Sequence, residues 1–337
     1  MRPRDLHILP TVADGLTFLY ADRVRVEKGL HAISLVDAEG SVDVPSAALS
    51  VLMLGPGCTV THAAMTALAE CGCAVLFTGE GGVRMYAAGL GETRSAVNLL
   101  AQARAWADPV EHLAVVRRMY AMRFDEDLSP SLTLEQIRGK EGVRVRNAYA
   151  EAARVHGIKW GGRHYDSGDE GWAASSPANR ALSTACACLY GLCHAAIVAI
   201  GMSPALGFVH TGKALSFVYD VADLYKCEIL VSLAFRIAAE NPPKIDNVVR
   251  RACRDAFRQS RLIERVVPDM QHVLGLRPDV VRLVDVSRAG EAENDNRDEP
   301  DLELWDRETR VVGGINYAYS YESPSHPHPE DAGGDES

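Results

Sequence analysis

Up to about residue 90 the apolar positions fall in short runs broken by turn residues, the pattern of strands rather than helices. LTFLYADRVRVEK is dominated by β-forming residues, and HAISLV and SVDVP flank the turn Asp37-Ala38-Glu39-Gly40, which predicts a hairpin. LSVLMLGPG and CAVLFTG are apolar runs closed by glycine, and THAAMTALAECG between them predicts a helix with Thr61 as its cap. After the turn Gly79-Glu80-Gly81-Gly82, VRMYAAG completes a second hairpin.

From about Ser95 the period changes to that of helices and keeps it for most of the remaining chain. The predicted helices are SAVNLLAQARAWA, VEHLAVVRRMYAMRF, LTLEQIRGKEGVRVRNAYAEAARVHG, ANRALSTACACLYGLCHAAIVAIG, LSFVYDVADLYKCEILVSLAFRIAAE and KIDNVVRRACRDAFRQSRLIERVVPDMQHVLG. Loops at ADP, DSGDEG and NPP separate some of them. Beyond Arg282 the chain turns acidic and rich in Asn, Gly and Pro, so most of it is expected to be disordered; RVVGGINYAYSY is the exception, a strand or docking peptide. The expected fold class is therefore α+β. A small N-terminal β-rich domain (1–90) precedes an all-α catalytic domain (91–282) and an acidic, mostly disordered C-terminal tail (283–337).

Charge sharpens that division. The chain carries a formal −10, but residues 290–337 hold 14 Asp and Glu against 3 Arg, which leaves residues 1–289 at +1. Within that near-neutral part Arg250, Arg254, Arg258, Arg261 and Arg265 recur at helical spacing and form a basic stripe, either a solvated helix face or a track for phosphates. The eight cysteines form no CxxC pair and read as reduced core residues, Cys71 and Cys73 being the pair to check for zinc. No apolar N-terminal region resembles a leader, and the most hydrophobic stretch, around 195–202, is too short to span a bilayer. A cytoplasmic protein without membrane attachment is expected.

Candidate chemistry concentrates in GFVHTGKALSFVYDVADLYK, residues 207–226. Asp220 and Asp223, three apart, share one face of an otherwise apolar helix. Buried carboxylates need a cation, a metal or dense hydrogen bonding; Lys226 serves the salt-bridge account, though one lysine does not readily satisfy two carboxylates. His210 is either a ligand or a hydrogen-bonded core histidine. Glu141 lies between Gly139 and Gly142, which cost helix stability and invite close approach by a backbone or ligand; the alternative is an exposed Glu balancing Arg138, Lys140, Arg144 and Arg146. If the three segments converge, Glu141, His210 and Asp223 supply two hard oxygens and an imidazole, a set suited to Mn²⁺ or Mg²⁺ and to phosphodiester chemistry.

RGKEGVRVRNAY, LSTACACLYG and GFVHTGKALSFVYDVADLYK, in this order, closely resemble the CRISPR-associated spacer integrase and endonuclease of the adaptation complex, in its type I-E form. VTHAA at 60–64 and GEGGVRMYAAG at 79–89 are also in the family's style, and the likeness extends over about residues 15–275. The resemblance implies an N-terminal β domain, an α-helical catalytic domain, and metal ligands at Glu141, His210 and Asp223. Asp220 is implied as a further acidic residue beside the metal and Lys226 as a basic residue of the same pocket. It also implies a homodimer, two of which flank a dimer of a small ferredoxin-like adaptation partner. Double-stranded prespacer DNA lies across that assembly, and its 3′-hydroxyls attack phosphodiesters of the CRISPR repeat DNA. Arg84, Arg250, Arg254 and Arg258 resemble DNA-backbone contacts; Tyr165, Trp172 and Tyr190 resemble aromatic positions near the pocket and the single-stranded end. A non-catalytic DNA-binding scaffold and a metal-dependent phosphodiesterase acting on branched nucleic acids are the alternative functions.

Overall fold

Alternation within three short strands decides how this chain packs. The computed structural model describes residues 7–8, 18–30, 32–82, 84–89, 96–124, 128–163, 175–276, 303–305 and 310–312. Its N-terminal strands are β1 (His7–Ile8), β2 (Phe18–Ala21), β3 (Arg25–Lys28), β4 (Ala32–Asp37), β5 (Gly40–Pro45), β6 (Val51–Leu54), β7 (Thr59–Val60), β8 (Ala74–Thr78) and β9 (Met85–Gly89). One sheet runs β1-β2-β6-β8-β9, parallel through β2, β6 and β8 and antiparallel at both edges; the other runs β5-β4-β3-β7. In the first sheet Phe18, Val51, Met53, Ala74 and Leu76 enter the core shared with the helices. Their neighbours Leu19, Ala21, Leu52, Leu54 and Val75 enter a second core with Val26, Ile33, Leu35, Ala64 and Leu68. Because successive side chains point to opposite faces, strands covered on both sides read as continuous apolar runs.

The hairpin at Asp37–Gly40 forms as predicted, with β4 antiparallel to β5. The helix between β7 and β8, α1 (His62–Glu70), is capped by Thr61, whose hydroxyl accepts from the Ala64 N–H. LTFLYADRVRVEK, which reads as one run, instead divides into β2 and β3 in different sheets. The turn lies at Arg23, which takes a left-handed conformation (φ 52°) and donates its N–H to the Pro56 carbonyl.

The helical part comprises α2 (Val97–Ala107), α3 (Pro109–Ala121), α4 (Leu134–Val155), α5 (Pro177–Ala199), α6 (Ser216–Ala222), α7 (Ser232–Glu240), α8 (Ile245–Gln259) and α9 (Leu262–Leu274). α4 opens on a capping box, Thr133 with Gln136. α5, at 23 residues, is long and apolar enough to cross a membrane, yet it is mostly buried against the other helices and serves as their core. Two predicted helices are each broken. The run 215–240 is interrupted after α6 and continues through a π-helical turn, Lys226–Val231, the kind of wide turn that frequently marks functional sites. The run 244–275 breaks at Arg261, left-handed at φ 50°, so that α9 can turn Leu262, Ile263, Val266 and Val267 into the core. Consequently the five-arginine stripe is divided: Arg250, Arg254 and Arg258 remain on α8, while Arg261 pairs with Glu264 and Arg265 with Glu228. The cysteines are all free thiols, and no zinc-type cluster includes Cys71 or Cys73 among the described residues.

Strands followed by helices make this an α+β fold, and residues 1–290 cluster as a single unit because the sheet shares its core with the helices. Residues 291–337 form a second unit, in which β10 (Glu303–Trp305) pairs antiparallel with β11 (Arg310–Val312). The segment expected to form a strand thus does so at its first residues, and it finds its partner in a stretch for which no strand is expected from sequence.

Candidate active site

The loop that carries His210 is held by side chains from three directions. Asp220 on α6 is fully buried; its Oδ2 accepts from the N–H groups of Phe208 (2.6 Å) and Val209 (3.0 Å), and its Oδ1 from the His210 N–H (2.8 Å). Oδ1 also lies 2.7 Å from His210 Nδ1, and since a carboxylate only accepts, Nδ1 is the donor. From α2 a polar stripe reads the backbone leading into this loop. Asn98 donates to the Ile200 carbonyl, Gln102 bonds Ser203 on both sides and the Leu206 carbonyl, and Trp106 donates to the Gly207 carbonyl. His112 on α3 reaches the Phe208 carbonyl at 2.9 Å. Gly207 is required because a Cβ there would run into the His210 carbonyl oxygen and Ser216.

Sequence reading missed this stripe, although its signal is present: Asn98, Gln102 and Trp106 recur every four residues on one helix face. Gln102 is fully buried, and a buried amide is retained only where its hydrogen bonds are met.

With Nδ1 bound to Asp220, the ring presents Nε2, 3.9 Å from Asp223 Oδ2. Holding one imidazole nitrogen on a carboxylate to aim the other is the arrangement that orients metal-ligating histidines. The same hydrogen bond raises the His210 pKa above its ordinary value, against the opposing effect of burial. Asp223, at the end of α6, pairs through Oδ1 with Lys226 Nζ at 3.3 Å. Burial is the largest single effect on the lysine and pulls its pKa down, but Asp223 together with Cys186, Tyr190 and Tyr149 turns the net shift upward and holds the ammonium charged. The two aspartates are therefore satisfied differently. Asp223 has the lysine, and Asp220 is met by dense hydrogen bonding to backbone N–H groups, so Lys226 is not asked to balance both.

Glu141 on α4 converges on the same point through a residue that the sequence reading passed over. Arg123, 3% exposed, follows α3 and directs Nη1 toward Glu141 Oε1 (3.6 Å) and Asp223 Oδ2 (4.0 Å), while Nη2 donates to the Asp220 carbonyl. Among the described residues its Nε has no hydrogen-bond partner. Arg144, one turn along α4, holds Glu141 in a bidentate pair at 2.7 and 3.0 Å. Among the described residues no backbone of this chain closes on the glycines beside Glu141: a Cβ at Gly139 or Gly142 meets nothing within 4 Å. They border open space.

Two carboxylates and an imidazole of fixed tautomer fit a Mg²⁺ or Mn²⁺ ion with open coordination positions. Among the described residues, however, no three His, Cys, Asp or Glu side chains already close on one point at ligating distance, since Glu141 is turned to Arg144. Of the remaining predicted residues, Tyr190 lies beside the site, its ring 5.1 Å from Tyr219, which is 6.0 Å from His210. Arg84 is exposed and left-handed (φ 61°) in the loop that packs on Gly191 of α5. Arg250 reaches Glu80 of that loop at 3.5 Å; Arg254 pairs with Asp255, and Arg258 is exposed. Tyr165 and Trp172 lie outside the described residues.

Comparison with known proteins identifies the family. Residues 121–251 match the family model for CRISPR associated protein Cas1. The CRISPR-associated endonuclease Cas1 2 of Thermus thermophilus is 51% identical over 319 residues, covering 93% of this chain and 94% of that protein. The CRISPR-associated endonuclease Cas1 of Geobacter sulfurreducens is 46% identical over 264 residues, 78% of this chain and 86% of that protein. Among solved structures, the crystal structure of a TtCas1-DNA complex superposes with a TM-score of 0.73 at 54% identity, over 79% of this chain and 99% of that one. The chain belongs to the CRISPR-associated Cas1 endonuclease family.

Proposed function

We propose that this protein is a metal-dependent DNA endonuclease and integrase of CRISPR adaptation, working on double-stranded prespacer DNA and CRISPR repeat DNA. The observation that carries the reading is the buried Asp220, which directs His210 Nε2 toward Asp223 while Arg123 gathers Asp223 and Glu141. A scaffold without turnover has no use for an imidazole so oriented. Relatives named as endonucleases, and one crystallised with DNA, support the substrate class.

Glu141, His210 and Asp223 are the residues that hold Mg²⁺ or Mn²⁺. When bound, the ion supplies Lewis-acid polarisation of a phosphoryl oxygen and stabilises charge building on it. The chain's own groups prepare that position: Asp220 fixes the imidazole, Lys226 pairs with Asp223, and Arg123 sets a positive charge between the partly buried Glu141 and Asp223. In strand transfer the 3′-hydroxyl oxygen of the prespacer bonds to a repeat phosphorus, the phosphorus–oxygen bond to the neighbouring nucleotide breaks, and that nucleotide leaves as a 3′-hydroxyl. Arg84 and the α8 arginines hold backbone phosphates, and Tyr190 stacks near the strand end. The type I-E form, a homodimer, and two such dimers around a small ferredoxin-like partner complete the proposal.

Strand transfer of a duplex with free 3′-hydroxyls into a repeat-bearing plasmid, in Mg²⁺ or Mn²⁺ and with the partner, tests it. Asp223→Ala and His210→Ala are each expected to lose about 100-fold or more. Parental rates in both would remove the metal assignment, and cleavage of branched DNA without integration would favour the phosphodiesterase reading.

A further inference from the structure

Glu141 is held by a cation of its own helix. Both of its oxygens accept from the Arg144 fork, at 2.7 and 3.0 Å, whereas Arg123 stands 3.6 Å away, beyond hydrogen-bond reach. We propose that Arg144 is a latch: it withholds Glu141 from the metal until a DNA phosphate takes the guanidinium, so that metal and DNA load together. The inference rests on the metal-site reading above.

Several features of the site favour it. Arg144 and Glu141 are one turn apart on α4, so exchange needs only side-chain rotation and no movement of the backbone. A guanidinium fork matches carboxylate and phosphate with the same bidentate geometry, so a phosphate replaces Glu141 without loss of bonds to Arg144. The Arg144 side chain is 27% exposed and reaches solvent, unlike Arg123 at 3%. Such coupling is reciprocal: whatever factor DNA adds to metal affinity, metal adds to DNA affinity.

The test is the Mn²⁺ dissociation constant of the full chain, read by electron paramagnetic resonance of free Mn²⁺, with and without a non-cleavable duplex. In the parent, DNA is expected to tighten Mn²⁺ roughly fivefold. DNA-free Arg144→Gln is expected to bind Mn²⁺ roughly fivefold tighter than the parent and to gain little more from DNA. Arg144→Lys keeps the charge but not the fork, and is expected to show at least half of that gain. It also serves should the glutamine variant fail to fold. Unchanged or weaker Mn²⁺ binding in both variants overturns the latch, as does a gain in the glutamine variant alone, which would make the effect one of charge. Glu141→Gln separates the two levels: it is expected to weaken Mn²⁺ with or without DNA; parental binding there would overturn the metal-site reading and the latch with it, whereas weakened binding there beside parental binding in both Arg144 variants would overturn the latch alone.

Discussion

Asp220 holds His210 at two atoms at once, the ring Nδ1 at 2.7 Å and the backbone N–H at 2.8 Å, while its other oxygen holds the two preceding N–H groups. One buried carboxylate thus sets both the path of the loop and the direction of the imidazole. Asp220→Asn turns an acceptor into a donor facing N–H groups, and is expected to cost about 2–4 kcal/mol in urea denaturation. A cost below about 0.5 kcal/mol would mean that the α2 contacts hold the loop unaided.

The same pair predicts how stability varies with pH. Its hydrogen bond to Asp220 raises the folded His210 pKa above the unfolded value of about 6.5. Stabilisation of the metal-free protein is therefore complete below about pH 6.5 and is lost as pH rises through the elevated folded pKa. Metal binding runs the other way, because Nε2 must lose its proton to ligate. In chelator-treated protein the melting temperature should fall, relative to His210→Gln, as pH rises above about 6.5, while the increment from added Mn²⁺ grows. Parallel pH profiles for parent and variant would contradict this.

Much of the fold is legible in the sequence because its signals are local. The Thr61 cap, the Asp37–Gly40 hairpin and the long helical periods each depend on residues a few positions apart. What escapes is decided by distant partners. The chain turns at Arg23 because the Pro56 carbonyl waits there, and Arg261 breaks a helix so that the residues beyond it meet the core. Arg123 is silent in sequence for the same reason: it sits at a helix end, and the carboxylates that define it, Glu141 and Asp223, arrive from α4 and α6. Resemblance named Glu141, His210 and Asp223, and helical spacing already set Arg144 among the partners of Glu141, but no spacing could show that Asp220 is spent on the loop.

Glycines with opposite surroundings give a second stability test. At Gly191 a Cβ would run into the Gly82 carbonyl and the Arg84 N–H, pushing the Arg84 loop off α5. Gly191→Ala is expected to destabilise by about 1–3 kcal/mol and to weaken DNA binding through that loop. At Gly142 the Cβ has open space, so Gly142→Ala should stabilise α4 by up to about 1 kcal/mol. A fall in strand transfer despite that gain would show that the DNA uses the space, whereas parental activity would show that the glycine serves no approach.

Arg258 is exposed on α8, whereas Arg261 and Arg265 beyond the break are already paired with Glu264 and Glu228. A guanidinium free to meet a phosphate releases a counterion on binding, and one engaged by a carboxylate must first give up that partner. Arg258→Ala should therefore weaken duplex binding equally for all sequences and flatten the dependence of log affinity on log salt by about 0.9. Arg265→Ala should change that slope by less than half as much. An equal change in the two would mean that the break at Arg261 does not bound the DNA-binding face, and an effect of Arg258→Ala confined to one sequence would make it a base contact rather than a backbone one.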